Sequence, residues 1–217
     1  MAASRDPAEV CIVGVTKYVG PELALQLAQA GCRILGENRP QSLWSKHEYF
    51  QAHAAEDTQW HMIGHLQRNK LRRTLPLLDC LHSLDSLRLA EAISHEATAV
   101  ARVLPVLVEV NFTQDSSKTG LPPSALPAFV EQVRQLPGLR IEGLMAMASQ
   151  DGSEAQTRRE FEQVRQARDE LQQAYSGELT LSQLSMGMSG DFRQAVAAGA
   201  TLVRIGSSLW EGVLAAA

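Results

Sequence analysis

Strand-length apolar runs alternate with amphipathic helical stretches eight times along the 217 residues, and that alternation leaves little choice of architecture. Strands joined by helices must run parallel, because only a crossover of a dozen or more residues returns the chain to the same end of a sheet. The strand-like runs cover 10–16, 33–38, 59–65, 80–84, 103–112, 139–147, 179–186 and 202–205. Between them the first helix opens near Gly20-Pro21-Glu22 and stops at Gly31, with proline early and glycine late. Further helices are expected over 41–53, from Arg68, from an Asp85 or Ser86 cap toward Val100, and over 124–136, 153–175 and 191–198. Eight such units predict an α/β fold closed as a (β/α)8 TIM barrel; a doubly wound open sheet fits the same alternation and is the alternative. No linker or low-complexity tract interrupts the pattern, so one domain over 1–217 is expected.

With 45% hydrophobic and 20% charged residues, the chain has an ordinary globular composition. No stretch approaches the ~18 consecutive apolar residues of a membrane span, so a soluble protein without a membrane partner is expected. The net charge of −4 and the lack of a basic run argue against nucleic acid and favour a small-molecule partner. The first nine residues fit no targeting peptide, which implies a cytoplasmic protein. Cys11, Cys32 and Cys80 form no C-x-x-C pair and read as buried small hydrophobes in a reducing compartment.

A barrel of this kind works at the C-terminal ends of its strands. Those ends present Lys17, Asn38, His65, His82, Asn111 and Met145, then Ser185 to Gly190 after the seventh strand and Arg204 to Ser208 after the eighth. Of the four lysines, Lys17 alone directly ends an apolar strand. There its stem is expected to be buried and its amine aimed into the mouth, where desolvation favours the neutral, imine-forming amine. The competing structural reading is a lysine that reaches water or pairs with Glu37. The glycine turns after strands seven and eight predict a phosphate cup, and barrel closure brings strands one and eight together, so a phosphorylated aldehyde would satisfy both features. Arg204 is placed to face a bound ring; an arginine cannot accept a proton, so it would disfavour a protonated pyridine. His61 and His65 share a strand face but lie too far apart to chelate closely, with no cysteine or carboxylate at ligand spacing, so no metal site is expected.

The motifs V-T-K at 15–17, G-E-N-R-P-Q at 36–41, W-H-M-I-G-H-L-Q-R-N-K at 60–70 and H-S-L-D-S at 82–86 are followed by S-K-T-G at 117–120, G-L-M-A at 143–146, L-S-M-G-M-S-G-D-F at 184–192 and V-R-I-G-S at 203–207. Together they resemble the pyridoxal phosphate homeostasis proteins, single-domain relatives of the alanine racemase N-terminal barrel. The resemblance implies a fold-type III barrel with pyridoxal 5′-phosphate (PLP, a vitamin B6 form) held as a Schiff base on Lys17 and Asn38 near its ring. It further implies Ser185, Gly206 and Ser207 at the phosphate, Arg204 at the pyridine nitrogen, and His82 and Met145 lining the ring pocket. Lys118 matches a second family lysine, and Val19 stands where another is often found. The implied function is a carrier that stores PLP and supplies it to apo-enzymes; without the second domain of two-domain racemases, a monomer is expected. Two alternatives remain: a weakly active amino-acid racemase, and a barrel that binds another phosphorylated metabolite non-covalently. Racemisation needs an acid–base group on each face of the substrate. Of Tyr18, Tyr49 and Tyr175 only Tyr18 is expected near the mouth.

Overall fold

The computed structural model describes residues 5–55, 57–113, 115 and 117–213. Its strands are β1 (Cys11–Val15), β2 (Ile34–Glu37), β3 (Gln59–Met62), β4 (Cys80–Leu84), β5 (Leu104–Val110), β6 (Leu139–Ala146), β7 (Gln183–Met188) and β8 (Leu202–Ile205). They pair in chain order, all parallel, and β8 returns to β1 with Val13 opposite Arg204. That last pairing closes the barrel and excludes the open sheet.

The helices are α1 (Pro21–Gln29), α2 (Pro40–Ala52), α3 (Leu71–Thr74), α4 (Leu87–Ala99), α5 (Leu126–Val133), α6 (Glu154–Ala174) and α7 (Phe192–Ala197). Gly31 ends the first crossover at φ +101°, a conformation glycine adopts without a Cβ penalty. Ser153 caps α6, its Oγ accepting from the Gln156 N–H at 3.3 Å. Strand alternation sorts the side chains into two layers. Leu35, Trp60, Met62, Leu81, Val106, Leu144, Leu184 and Val203 point outward into the main core under the helices. A much smaller apolar set, Val13, Cys80, Leu107, Met145 and Leu202, occupies the barrel interior.

The structure departs from the sequence-based reading at several places. The helix expected from Arg68 is broken into a 3-10 turn at Arg68–Lys70, the short α3 and a second 3-10 turn at Leu75–Leu77. Pro76 removes an N–H that a continuous helix would use. The seventh strand starts at Gln183 rather than at 179, because Leu181 is buried outside the ladder and its carbonyl accepts from Arg168 Nη1 at 3.0 Å. Of the three cysteines expected to be buried, only Cys80 is; Cys32 is half-buried and Cys11 is exposed at the first position of β1.

Candidate functional site

β1 ends at Val15, Thr16 is fully buried, and Lys17 stands exposed in the turn that follows. The expected burial of its stem is therefore corrected: the chain turns outward one residue earlier than a seven-residue strand would allow. Its ammonium lies 4.8 Å from the centroid of the Tyr18 ring, and Tyr18 is itself 73% exposed. Lys17 makes no ion pair among the described residues.

The carboxylate considered as its partner is taken by another lysine. Glu37, at the end of β2, is fully buried and pairs with Lys46 of α2, whose own side chain is 5% exposed. Lys46 also donates to the Thr16 carbonyl at 2.6 Å, while the Thr16 hydroxyl donates to Glu37 at 2.5 Å. Three buried groups thus brace the peptide from which Lys17 projects. Sequence reasoning missed Lys46, although a signal existed: it falls on the inward stripe Leu43, Lys46, Phe50 of α2.

The turns after β7 and β8 meet beside β1. The Ser189 hydroxyl accepts from the N–H groups of Gly206 at 3.2 Å and Ser208 at 3.4 Å, so two backbone donors converge on one oxygen. Asp191 closes the first turn by accepting from the Met188 N–H at 2.5 Å. Gly187 sits at φ +93°, where a Cβ would come within 2.5 Å of Ala195. The indole N–H of Trp210 donates to the Val15 carbonyl at 3.1 Å and ties this loop to the end of β1, two residues before Lys17. Ser207 is exposed at the same loop.

Ser185 does not join this cup. It is fully buried in the barrel interior, one hydroxyl between Arg204 and His82, and this corrects its expected place. Ser189, four residues on and two residues past a glycine that turns the backbone, presents the hydroxyl instead. Alternation alone would leave these two serines, four residues apart, on one face; the end of the strand separates them, because Ser185 is a ladder residue pointing inward whereas Ser189 lies beyond the last residue of β7.

Arg204 is 4% exposed and points into the barrel. Its Nη1 donates to the Ser185 carbonyl at 2.7 Å and hydroxyl at 2.8 Å, and its Nη2 to the Ala146 carbonyl at 3.0 Å. Burial lowers its pKa to about 10, against the pull of Asp191 and Glu109. His82 Nδ1 lies 2.9 Å from the Ser185 hydroxyl, and His82 Nε2 lies 2.9 Å from His61 Nδ1. Burial lowers both imidazole pKa values, that of His61 to about 4 and that of His82 well below the usual imidazole value, so both rings are neutral at pH 7. His82 and Met145 are buried, 0% and 2% exposed, rather than open at the mouth.

Cys80 corrects the reasoning used against a metal site, because it joins His61 and His82 with ligand atoms all within 4.8 Å. The two imidazoles already hydrogen-bond each other, and burial pushes the thiol pKa far up, so coordination would have to displace that bond and a tightly held proton.

Gly64 shows how tightly the mouth is packed on the β2–β3 side. A Cβ there would stand 2.5 Å from the Asn38 carbonyl oxygen and 2.8 Å from its Cα. Gly64→Ala is therefore expected to push Asn38 outward and to destabilise the fold by about 1–3 kcal/mol. Urea unfolding measures the second effect; a variant as stable as the parent would show that the loop yields freely. Across the mouth, Lys118 donates to the Ala148 carbonyl at 2.7 Å beside a cavity of about 500 Å³ that Ser149, Met188 and Asp191 also line.

Comparison with known proteins places this geometry. Residues 6–212 match the family model described as "Alanine racemase, N-terminal domain". The chain is 38% identical over 210 residues to the pyridoxal phosphate homeostasis protein of Pseudomonas aeruginosa, covering 96% of this chain and 87% of that one. The chain belongs to the pyridoxal phosphate homeostasis protein family. The member from Aquifex aeolicus is 37% identical over 199 residues, covering 92% of this chain and 85% of its own. Among solved structures, PipY of Synechococcus elongatus with PLP bound superposes with a TM-score of 0.88 at 35% identity, covering 95% of this chain and 94% of PipY. An alanine racemase of Clostridium difficile shares the barrel alone, with a TM-score of 0.75 at 16% identity over 93% of this chain and 52% of its own.

Proposed function

We propose that this chain is a single-domain, cytoplasmic PLP carrier that holds the cofactor as a Schiff base on Lys17 and supplies it to apo-enzymes. The observation that carries the reading is the meeting of the Lys17 turn with the cup at Gly206 and Ser208, tied together through Trp210 and Val15. The residues present fit the group. Two N–H donors and the Ser189 hydroxyl suit a phosphate, with Ser207 exposed beside them, and the exposed Lys17 amine is free of any described carboxylate. When bound, PLP supplies an aldehyde that condenses with an amine and an electron-withdrawing pyridine ring.

Each residue then has a task of its own. Gly206, Ser207, Ser208 and Ser189 bind the phosphate, and Asn38 flanks the ring. Arg204, a donor that cannot accept a proton, faces the ring nitrogen and holds it unprotonated. Thr16, Glu37 and Lys46 keep the base of the Lys17 turn in place. Support for a carrier rather than a racemase comes from the tyrosines. Tyr49 packs on the core from α2 and Tyr175 ends α6, so Tyr18, beside Lys17 itself, is the one tyrosine at the described mouth. A base on Lys17's own turn does not supply the opposite face that racemisation requires.

The test is borohydride reduction of the protein after incubation with PLP, followed by mass spectrometry of the peptides. The label is expected on Lys17 with the visible imine band, and Lys17→Ala is expected to lose both. A label spread over Lys70 and Lys118, or PLP retained undiminished by Lys17→Ala, contradicts the reading. Sustained conversion of L-alanine to D-alanine that vanishes in Lys17→Ala would favour the racemase instead.

A further inference from the structure

The four polar groups inside the barrel have a direction that follows from their donor inventory. Arginine only donates, so where Arg204 Nη1 meets the Ser185 hydroxyl the oxygen is the acceptor. The serine's own proton must then go elsewhere, and His82 Nδ1, at 2.9 Å, is the acceptor in contact with it. A neutral His82 that accepts at Nδ1 carries its proton on Nε2. That proton is donated across 2.9 Å to His61 Nδ1. His61 in turn carries its proton on Nε2. The chain therefore runs one way, Arg204 to Ser185 to His82 to His61, and each link spans a different strand: β8, β7, β4 and β3.

A hydroxyl that gives its proton away becomes a better acceptor, so links in such a chain strengthen one another in a low-dielectric interior. The end that benefits is Arg204. Its Nη1 is held on both Ser185 oxygens and its Nη2 on Ala146, which fixes the guanidinium plane. Its Nε–H makes no hydrogen bond among the described residues and is left for a ligand.

We infer that His61, His82 and Ser185 are positioning residues for Arg204, and that through Arg204 they keep the ring nitrogen of bound PLP unprotonated. The inference rests on the PLP reading above but concerns groups remote from the Lys17 amine. It assigns a purpose to two buried histidines that neither bind phosphate nor form the imine. It also accounts for Ser185 lying in the interior rather than at the cup.

The experiment loads the full-length protein with PLP labelled with ¹⁵N in the ring and records the ring-nitrogen chemical shift by NMR at pH 7. In the parent protein the shift is expected in the unprotonated pyridine range. In His82→Leu, which leaves the Ser185 proton without an acceptor, the signal is expected to move toward the pyridinium range. In His82→Asn, whose Oδ1 takes the place of Nδ1, it is expected to return. Ser185→Ala removes one oxygen only and carries the same expectation as His82→Leu should leucine prevent folding. Imidazole ¹⁵N spectra of the ligand-free protein are expected to show both His61 and His82 as neutral Nε2–H tautomers.

A His82 proton on Nδ1 would reverse the chain and overturn the inference. So would an unchanged ring-nitrogen shift in both His82→Leu and Ser185→Ala while PLP stays on Lys17. Failure of the parent protein to take up PLP at all is a different result: it removes the functional reading and this inference with it.

Discussion

Lys46→Met is expected to lower the unfolding free energy by about 3–5 kcal/mol, which for a chain of this size lowers the melting temperature by roughly 6–20 °C. The size of the effect comes from what remains behind. Glu37 is fully buried, and its Oε1 gathers the Lys46 ammonium and the Thr16 hydroxyl, while its Oε2 has no hydrogen-bond partner among the described residues. Methionine fills the lysine's volume along the Leu43–Phe50 stripe but leaves that carboxylate without a countercharge, and it also frees the Thr16 carbonyl. Adding Glu37→Gln to Lys46→Met removes the stranded charge and is expected to recover most of the loss. Urea unfolding of the parent and both variants measures this. A single variant within about 1 kcal/mol of the parent would mean that water reaches Glu37. The same variants probe the site, because the bracing lies directly under the Lys17 turn; weaker imine formation at a temperature where Lys46→Met remains folded is the companion expectation.

Much of the fold is legible in the sequence because its strongest signals are local. β4 and β8 run over the expected residues, and the helices after Ser86 and Ser153 begin where expected, although only Ser153 makes a side-chain capping hydrogen bond. Misplaced boundaries have tertiary causes. At 179–182 Leu179 and Leu181 alternate with polar residues and pack on the core without joining a ladder, and burial of that kind cannot be told from strand by pattern. After Met62 the backbone leaves the sheet, although Ile63 continues the β-like pattern, and Gly64 there approaches Asn38 more closely than a side chain would permit.

Site residues were legible as a set and less so one by one. Lys17, Gly206 and Ser207 do gather at the mouth, because strand ends of a closed barrel must. Which of two serines in S-M-G-M-S faces the cup depends on the residue at which β7 stops pairing. In an uninterrupted strand the two would share a face, and no local signal settles where the pairing ends. Cys80 could not be joined to His61 from spacing, since the contact crosses from β3 to β4 and is set by the register that puts those two residues opposite. Lys46 was hidden for the opposite reason. A lysine on a helix is ordinarily solvated, and only its place between Leu43 and Phe50 marks it as inward.

Acid sensitivity should follow from the two interior histidines. Their pKa values in the fold lie below the unfolded value near 6.5, at about 4 for His61 and well below the usual value for His82 as well. Between those limits the unfolded chain binds protons that the folded chain refuses, so stability is full above pH 6.5 and is lost as the pH falls from there toward 4. His61 contributes about 1.4 kcal/mol per pH unit in that window, on the order of 2 kcal/mol by pH 5, and His82 adds to the loss in the same direction. The raised pKa of Glu109 acts in the opposite sense, since its carboxyl takes a proton more readily in the fold than in the unfolded chain. Comparing the parent with His61→Leu/His82→Leu isolates the histidine part, because Glu109 is common to both. Urea unfolding at pH 7.5 and pH 5 is expected to show a steep loss in the parent and a shallower one in the double variant. Parallel losses would mean that the histidines are already solvated in the fold, and the chain from Arg204 to His61 would lose its dry interior.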